Sequence, residues 1–238
     1  MIKWIIRIFL ILVTFTVFSL FFLSFYGLET DYFNSAIQNK VRTFNPNFNL
    51  DFQKTNILLD LKQLELKVKV IRPKINFNNT SVDLSKLSLN ISIKSFLKDE
   101  FALQRGEVGL AKTDIKQFIT LANQIKPSPF LFVAKEIFNK GQIEGKAKIN
   151  FDTSGKIKDD YEIIGSIFNF DAKILKKFNI NQTDAEFELL KNNYSVYLIK
   201  GNINDINLAN SEFEINKENK NFNVKGNLVS RANLKNIQ

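Results

Sequence analysis

The chain has 238 residues, with 33 Lys and Arg against 24 Asp and Glu, and contains neither Cys nor His. Those absences exclude a thiol nucleophile, a disulfide, a Ser-His-Asp triad and any zinc site built on His or Cys. With 45% apolar and 24% charged residues, the composition is that of a chain that folds. The bias toward Asn, Lys, Ile and Phe is what AT-rich codons produce. Lysines are scattered among alternating apolar residues, as on a solvated strand face, and do not form the clustered basic face of a nucleic-acid binder.

From Ile8 to Tyr26, nineteen residues carry no charge. At 1.5 Å per residue this stretch crosses roughly 30 Å of hydrocarbon. Trp4 and Tyr26 stand at its ends, where amphipathic rings favour the interface. Phe21, Phe22, Leu23, Phe25 and Tyr26 crowd the position where a cleaved signal peptide would place small residues, so residues 1–28 are predicted to be an uncleaved signal anchor. Lys3 and Arg7 precede the span and Glu29 and Asp31 follow it, which predicts a single-pass protein with a cytoplasmic N-terminus and the bulk of the chain exported. In a bacterium that means an inner-membrane protein facing the periplasm. Nucleic acid is not the expected partner there, and anionic lipid headgroups are within reach.

Residues 29–46 are predicted to form a short linker helix, capped by Thr30 and carrying Phe33, Ala36, Ile37, Val41 and Phe44 on one face, with Asn45-Pro46-Asn47 as its stop. The period then changes to two. Phe48, Leu50 and Phe52 alternate with polar residues, as do Leu64, Leu66, Val68 and Val70, and then Leu87, Leu89, Ile91 and Ile93. Such runs are strands with one apolar face, and residues 47–112 form a first β segment. Pro73 reads as an edge position and Asn78-Asn79 as a turn.

Residues 113–140 read as a helical insertion. Asp114 starts a helix bearing Ile115, Phe118, Ile119, Ala122 and Ile125, and Pro127 ends it. Ser128-Pro129 is an N-cap with a first-turn proline, and Gly141 is the predicted stop of the second helix. From 141 to 238 the strand period returns with Ile143, Ala147, Ile149 and Phe151. Further strands are predicted at Tyr161–Ile174, Ala185–Leu190, Tyr194–Lys200, Ile203–Leu208, Glu212–Asn216 and Phe222–Val229. Turns are predicted at Asp152–Gly155, Lys191–Asn193 and Glu218–Asn221.

The fold expected is mainly β: a transmembrane helix, then an antiparallel meander forming a curved open sheet with a short helical insertion. Its last strand leaves an open edge, read as continuing in a longer chain, pairing with an envelope protein, or self-associating. The apolar faces are covered either by an ordinary packed core or, in an open trough, by acyl chains. Phe outnumbers Tyr 24 to 5 and brings no polar handle into a dry trough. The candidate groove residues are Phe48, Leu50, Phe52, Leu64, Leu66, Val68, Val70, Leu87, Leu89, Ile91, Ile93, Ile143, Ile149 and Phe151.

The anchor, the short helix, Asn49-Leu50-Asp51-Phe52, the run Leu64–Val70, and Leu87–Ile93 leading into Ser95-Phe96-Leu97 resemble the opening of the AsmA-like superfamily. A strand there is commonly followed by a short turn of helix and another strand, here Glu107–Leu110. The segment from Gly165 through Gly201 to Gly226 is similar to its YhdP and TamB branches. The resemblance lies in the order and pattern of elements over most of the chain. It implies an inner-membrane-anchored, periplasm-facing β-groove that carries phospholipid toward the outer membrane, with no enzymatic chemistry and no cofactor. Twelve or so strands spaced by about 4.8 Å reach about 60 Å, too short for this chain alone to bridge two membranes.

No nucleophile–base pair, metal set or phosphate-binding loop can be assembled, so no catalytic, cofactor-binding or metal residue is put forward. Asp99-Glu100 and Asp159-Asp160 read as solvated loop carboxylates. Lys173, Lys176 and Lys177 read as a basic turn, with headgroup contact as the alternative. Sequons at Asn78, Asn90, Asn181 and Asn193 are expected by chance in so Asn-rich a chain.

Overall fold

A computed structural model describes residues 2–78, 80–98, 100, 102–174, 177–204, 206–218 and 221–231. The chain is mainly β, with one apolar helix at its N-terminus followed by an open, curved, antiparallel sheet. Helix α1, Ile2–Phe25, has a mean hydropathy of 2.6 over its most apolar window and no buried residue, so it is long and apolar enough to span a membrane. Gly27 turns the chain from α1 into the first strand with φ +71°; a Cβ there would lie 2.7 Å from Asn56 Oδ1 and 2.9 Å from the Ile57 carbonyl oxygen.

Strand β1 (Leu28–Thr30) pairs with β3 (Lys54–Asp60), which pairs with β4 (Glu65–Ile71). Between them lie helix α2 (Asn34–Phe44) and strand β2 (Phe48–Asp51). The predicted Thr30 cap is displaced. Thr30 belongs to β1, its hydroxyl accepts the Tyr32 amide, and α2 starts after Phe33 without a side-chain cap. Asn34 on α2 is tied to the sheet through hydrogen bonds with the Gln53 carbonyl and the Thr55 hydroxyl.

Strand β5 (Lys74–Phe77) pairs with β2 and with the first residues of β6 (Thr80–Ser92), whereas β4 pairs with the later half of β6. The sheet therefore forks at β6. Helix α3 (Ile93–Leu97) connects to β7 (Leu103–Asp114), as the Ser95-Phe96-Leu97 turn predicted. Helix α4 (Ile115–Ile125) starts at Asp114, whose carboxylate accepts the Gln117 amide. Helix α5 (Pro129–Ile137) starts at Ser128, whose hydroxyl accepts the Phe130 amide. Both helices start where predicted, with Ser128 the predicted cap, but Gly141 does not stop α5. The helix ends at Ile137, and β8 (Phe138–Asn150) has begun before Gly141, which sits at φ +141° with no room for a Cβ beside Phe170.

The remaining strands are β9 (Glu162–Ile174), β10 (Phe178–Leu190), β11 (Asn193–Ile203), β12 (Ile206–Glu218), β13 (Asn221–Asn227) and β14 (Ser230–Arg231). The predicted Tyr194–Lys200, Ile203–Leu208 and Glu212–Asn216 pieces are instead two long strands, paired as far as Ile203 with Ile206. The Glu218–Asn221 and Asn78–Asn79 turns, Asp99 and Lys176 fall wholly or partly outside the described residues.

Curvature has a local cause. Register shifts recur at one level of neighbouring strands: between Leu110 and Thr113 in β7, between Lys140 and Gln142 in β8, and around Thr183 in β10. Asn169, Gln182 and Asn210 take φ of +46°, +50° and +50° at the same level. Such bulges bend each strand and increase its twist. Carboxylates accept the amides of two of these residues. Asn169 N–H donates to Asp184 and Gln182 N–H to Asp171, at 2.6 and 2.8 Å. Lys200 and Lys140 pair with those carboxylates at 2.9 and 3.0 Å.

Candidate functional site

Residues that face each other across an antiparallel ladder share a face. Following the register outward from β4, one transverse row reads Val70, Leu87, Val108, Ala147, Ile163, Leu189, Tyr194, Ile215 and Val224. A second reads Ile57, Val68, Leu89, Gly106 and Ile149. The opposite face carries Lys69, Ser88, Glu107, Lys148 and Glu162 in one row, and Lys146, Ile164, Glu188, Ser195, Glu214 and Lys225 in the next. The sheet thus has an apolar and a charged side, continuous from β4 to β13. The bulge between Leu84 and Lys86 keeps Val82 and Leu84 on the same side as Leu87 and Leu89 despite the skipped residue.

Cover over the apolar side is uneven. Helices α4 and α5 seal one end, where Ile115, Ile119, Ala134 and Ile143 are buried against Leu110, Phe138, Ile167 and Phe187. Leu121 joins Phe77 and Val82 over the fork. Farther along, Leu89, Ile149, Ile163 and Leu189 are only half-buried, Ile215 is 37% exposed and Val224 67% exposed.

Of the predicted groove residues, Leu66, Val68, Val70, Leu87, Leu89, Ile91 and Ile149 share the apolar face. Ile143 shares it too but lies beneath α4 and α5. Phe48 and Leu50 belong to the β2–β5 wing, where Leu50 is buried at 5% exposure and Phe48 packs with Phe77. Leu64 is in the β3–β4 turn at φ 52°, Phe52 lies outside the strands, and Ile93 opens α3. Phe151 forms an isolated bridge with Ile157. The prediction omitted the far half of the face, from Ile163 to Val224. Period-two runs in Ile163-Gly165-Ile167, Ala185-Phe187-Leu189 and Tyr194-Val196-Leu198 were the signal for it.

A cleft of about 800 Å³ opens on the charged side, bordered by Ser85, Lys112, Glu144, Lys146, Glu186 and Tyr197. None of the predicted groove residues lines it. Nearby, a hydrogen bond from Lys86 holds the Glu107 carboxyl below the usual glutamate range, against the opposing effect of burial. Burial raises Asp184, but the Asn169 amide and Lys200 outweigh it and the net direction is down. Asp159 is exposed and paired with Lys191, and among the described residues no group of three acidic side chains is placed to hold a metal ion. The sequon residue Asn90 is buried and donates to Glu65, whereas Asn78 and Asn181 are exposed.

Fold and face together define a chain with one membrane-length helix and a two-sided open sheet. Comparison with protein-family models, with curated proteins and with solved structures finds no match.

Proposed function

We propose that this protein is held in a bacterial inner membrane by α1 and binds phospholipid on the apolar side of its periplasmic sheet, without covalent chemistry, in the manner of AsmA-like proteins. The observation that carries the reading is the apolar row from Val70 to Val224, none of whose members belongs to the cluster that α4 and α5 bury at another level of the same face. An ordinary core would require a second layer over the remainder of that face. Acyl chains can supply it: each buried CH₂ contributes about 0.8 kcal/mol, so a chain of ordinary length gains roughly 10 kcal/mol. That is close to its gain in a bilayer, and transfer between the two is then near-balanced and reversible. The charged side, with Lys148 facing Glu162 and Lys86 facing Glu107, remains toward water.

The test is purification of the full chain followed by mass spectrometry of retained lipid. Phospholipid is expected with the wild type and lost from folded Leu89→Glu and Ile149→Glu variants. Undiminished recovery in those variants would remove the apolar face from the account. A second reading, a scaffold whose sheet edge pairs with another protein, is favoured by β13, where Phe222 and Val224 are 62% and 67% exposed along the outer strand. Stoichiometric capture of one protein with no lipid would favour it.

A further inference from the structure

The corner between α4 and α5 carries a second apolar surface, separate from the face of the sheet. Ile125 ends α4 at 44% exposure; Phe130, Phe132 and Val133 in the first turns of α5 are 77%, 63% and 51% exposed. Ala134, in the next turn, is buried against the core, so α5 is docked on the sheet while its leading end projects. Folding gains nothing from leaving two phenyl rings in water at a helix end. Exposed Lys126 lies within the corner and exposed Lys135 follows it, with Glu136 the one acidic side chain on α5.

Projecting aromatic side chains with lysines beside them match the chemistry of an anionic bilayer surface, where rings enter the acyl boundary and ammonium groups meet phosphates. Phe187, at the border of the patch these helices cover, faces Val196 and through it Phe213, which are 38% and 36% exposed, so a bilayer that meets the corner lies beside the uncovered stretch of the face. A 24-residue apolar helix on the same chain supplies the reason for a bilayer to be at hand.

We infer that the α4–α5 corner docks on the surface of a bilayer containing anionic lipid and is the port through which acyl chains reach the sheet. This rests on the lipid-binding reading above, and the two are tested separately. Because the chain has no Cys, Phe132→Cys gives a single labelling site for an environment-sensitive fluorophore, with Asp159→Cys as a control on a distant exposed loop. The full chain is reconstituted in vesicles of phosphatidylcholine with or without phosphatidylglycerol, including brominated lipid as quencher. The label at 132 is expected to shift to the blue and be quenched, more so with phosphatidylglycerol, while the label at 159 is not. Equal water exposure at both positions would overturn the docking.

On the same samples, the Phe130→Ser/Phe132→Ser variant is expected to retain wild-type lipid per protein at equilibrium and to load labelled phospholipid at least about tenfold more slowly. Wild-type loading by this variant would overturn the port while leaving lipid binding intact. A wild type devoid of lipid would overturn the groove, and the label at 132 would still report whether the corner enters the bilayer.

Discussion

The two ends of the apolar face have the same alternation and different surroundings. Beneath α4 and α5, Ile143 is 8% exposed and the helix residues that meet it, Ile115 and Ile119, are 2% and 4% exposed. Across β11 to β13, Val196, Phe213 and Ile215 are 36–38% exposed and Val224 67%. Period-two alternation therefore fixes which side of a strand is apolar, and helices encoded elsewhere in the chain decide whether that side becomes core or remains available. The covered end is packed core, and the uncovered stretch keeps its apolar side chains partly exposed.

The contrast is sharpest in stability. Ile119→Ala at the covered end is expected to cost about 2–5 kcal/mol, whereas Val196→Ala on the open stretch costs about 0.5 kcal/mol, measured by chemical denaturation in detergent. Equal losses would mean that the open stretch is packed as tightly as the core. Next in size is Gly165→Ala, opposite Phe187 in the β9–β10 ladder. A Cβ there would lie 2.5 Å from the Glu144 carbonyl oxygen and from the Phe187 ring, so a loss of about 1–3 kcal/mol is expected in the same assay.

A smaller effect comes from the charged side. The Glu107 carboxyl is lowered mainly by the hydrogen bond from Lys86, so its contribution is complete above the ordinary glutamate range and lost as pH falls through the folded value. Glu107→Gln should remove up to about 1 kcal/mol at neutral pH and flatten the acid limb of the stability profile. An unchanged acid limb would show that the pair contributes nothing. The smallest effect is expected for Lys191→Ala, which removes a pair whose Asp159 side chain is 72% exposed; the change should stay within about 0.5 kcal/mol.

Much of this architecture was legible in local pattern. The uncharged run that became α1, the Asp114 and Ser128 caps, and the alternation of β4, the later half of β6, and β9 all depend on neighbours in sequence. What escaped depends on distant contacts. Strand β3 contains the consecutive Ile57, Leu58 and Leu59, which hide its period because α1 approaches one side of the strand while Leu59 is buried. The fork at β6 comes from pairing with β4 and β5 at different points along one strand. In β11 and β12 the alternation is interrupted where Asn210 takes φ +50° and where the chain reverses between the paired Ile203 and Ile206, so local pattern divides two strands into three pieces. Of the face itself, both halves are legible in period-two runs, the far half in Ile163-Gly165-Ile167, Ala185-Phe187-Leu189 and Tyr194-Val196-Leu198, whereas which part the helices cover is not.

Photo-cross-linking along β8 tests the central claim most directly. Four consecutive residues, Lys146, Ala147, Lys148 and Ile149, alternate between the two sides of the sheet. With a photoreactive side chain placed at each in turn in the membrane-reconstituted full chain, phospholipid adducts are expected at 147 and 149 and not at 146 or 148. Adducts at all four positions, at none, or only at 146 and 148 would contradict lipid binding on the apolar side.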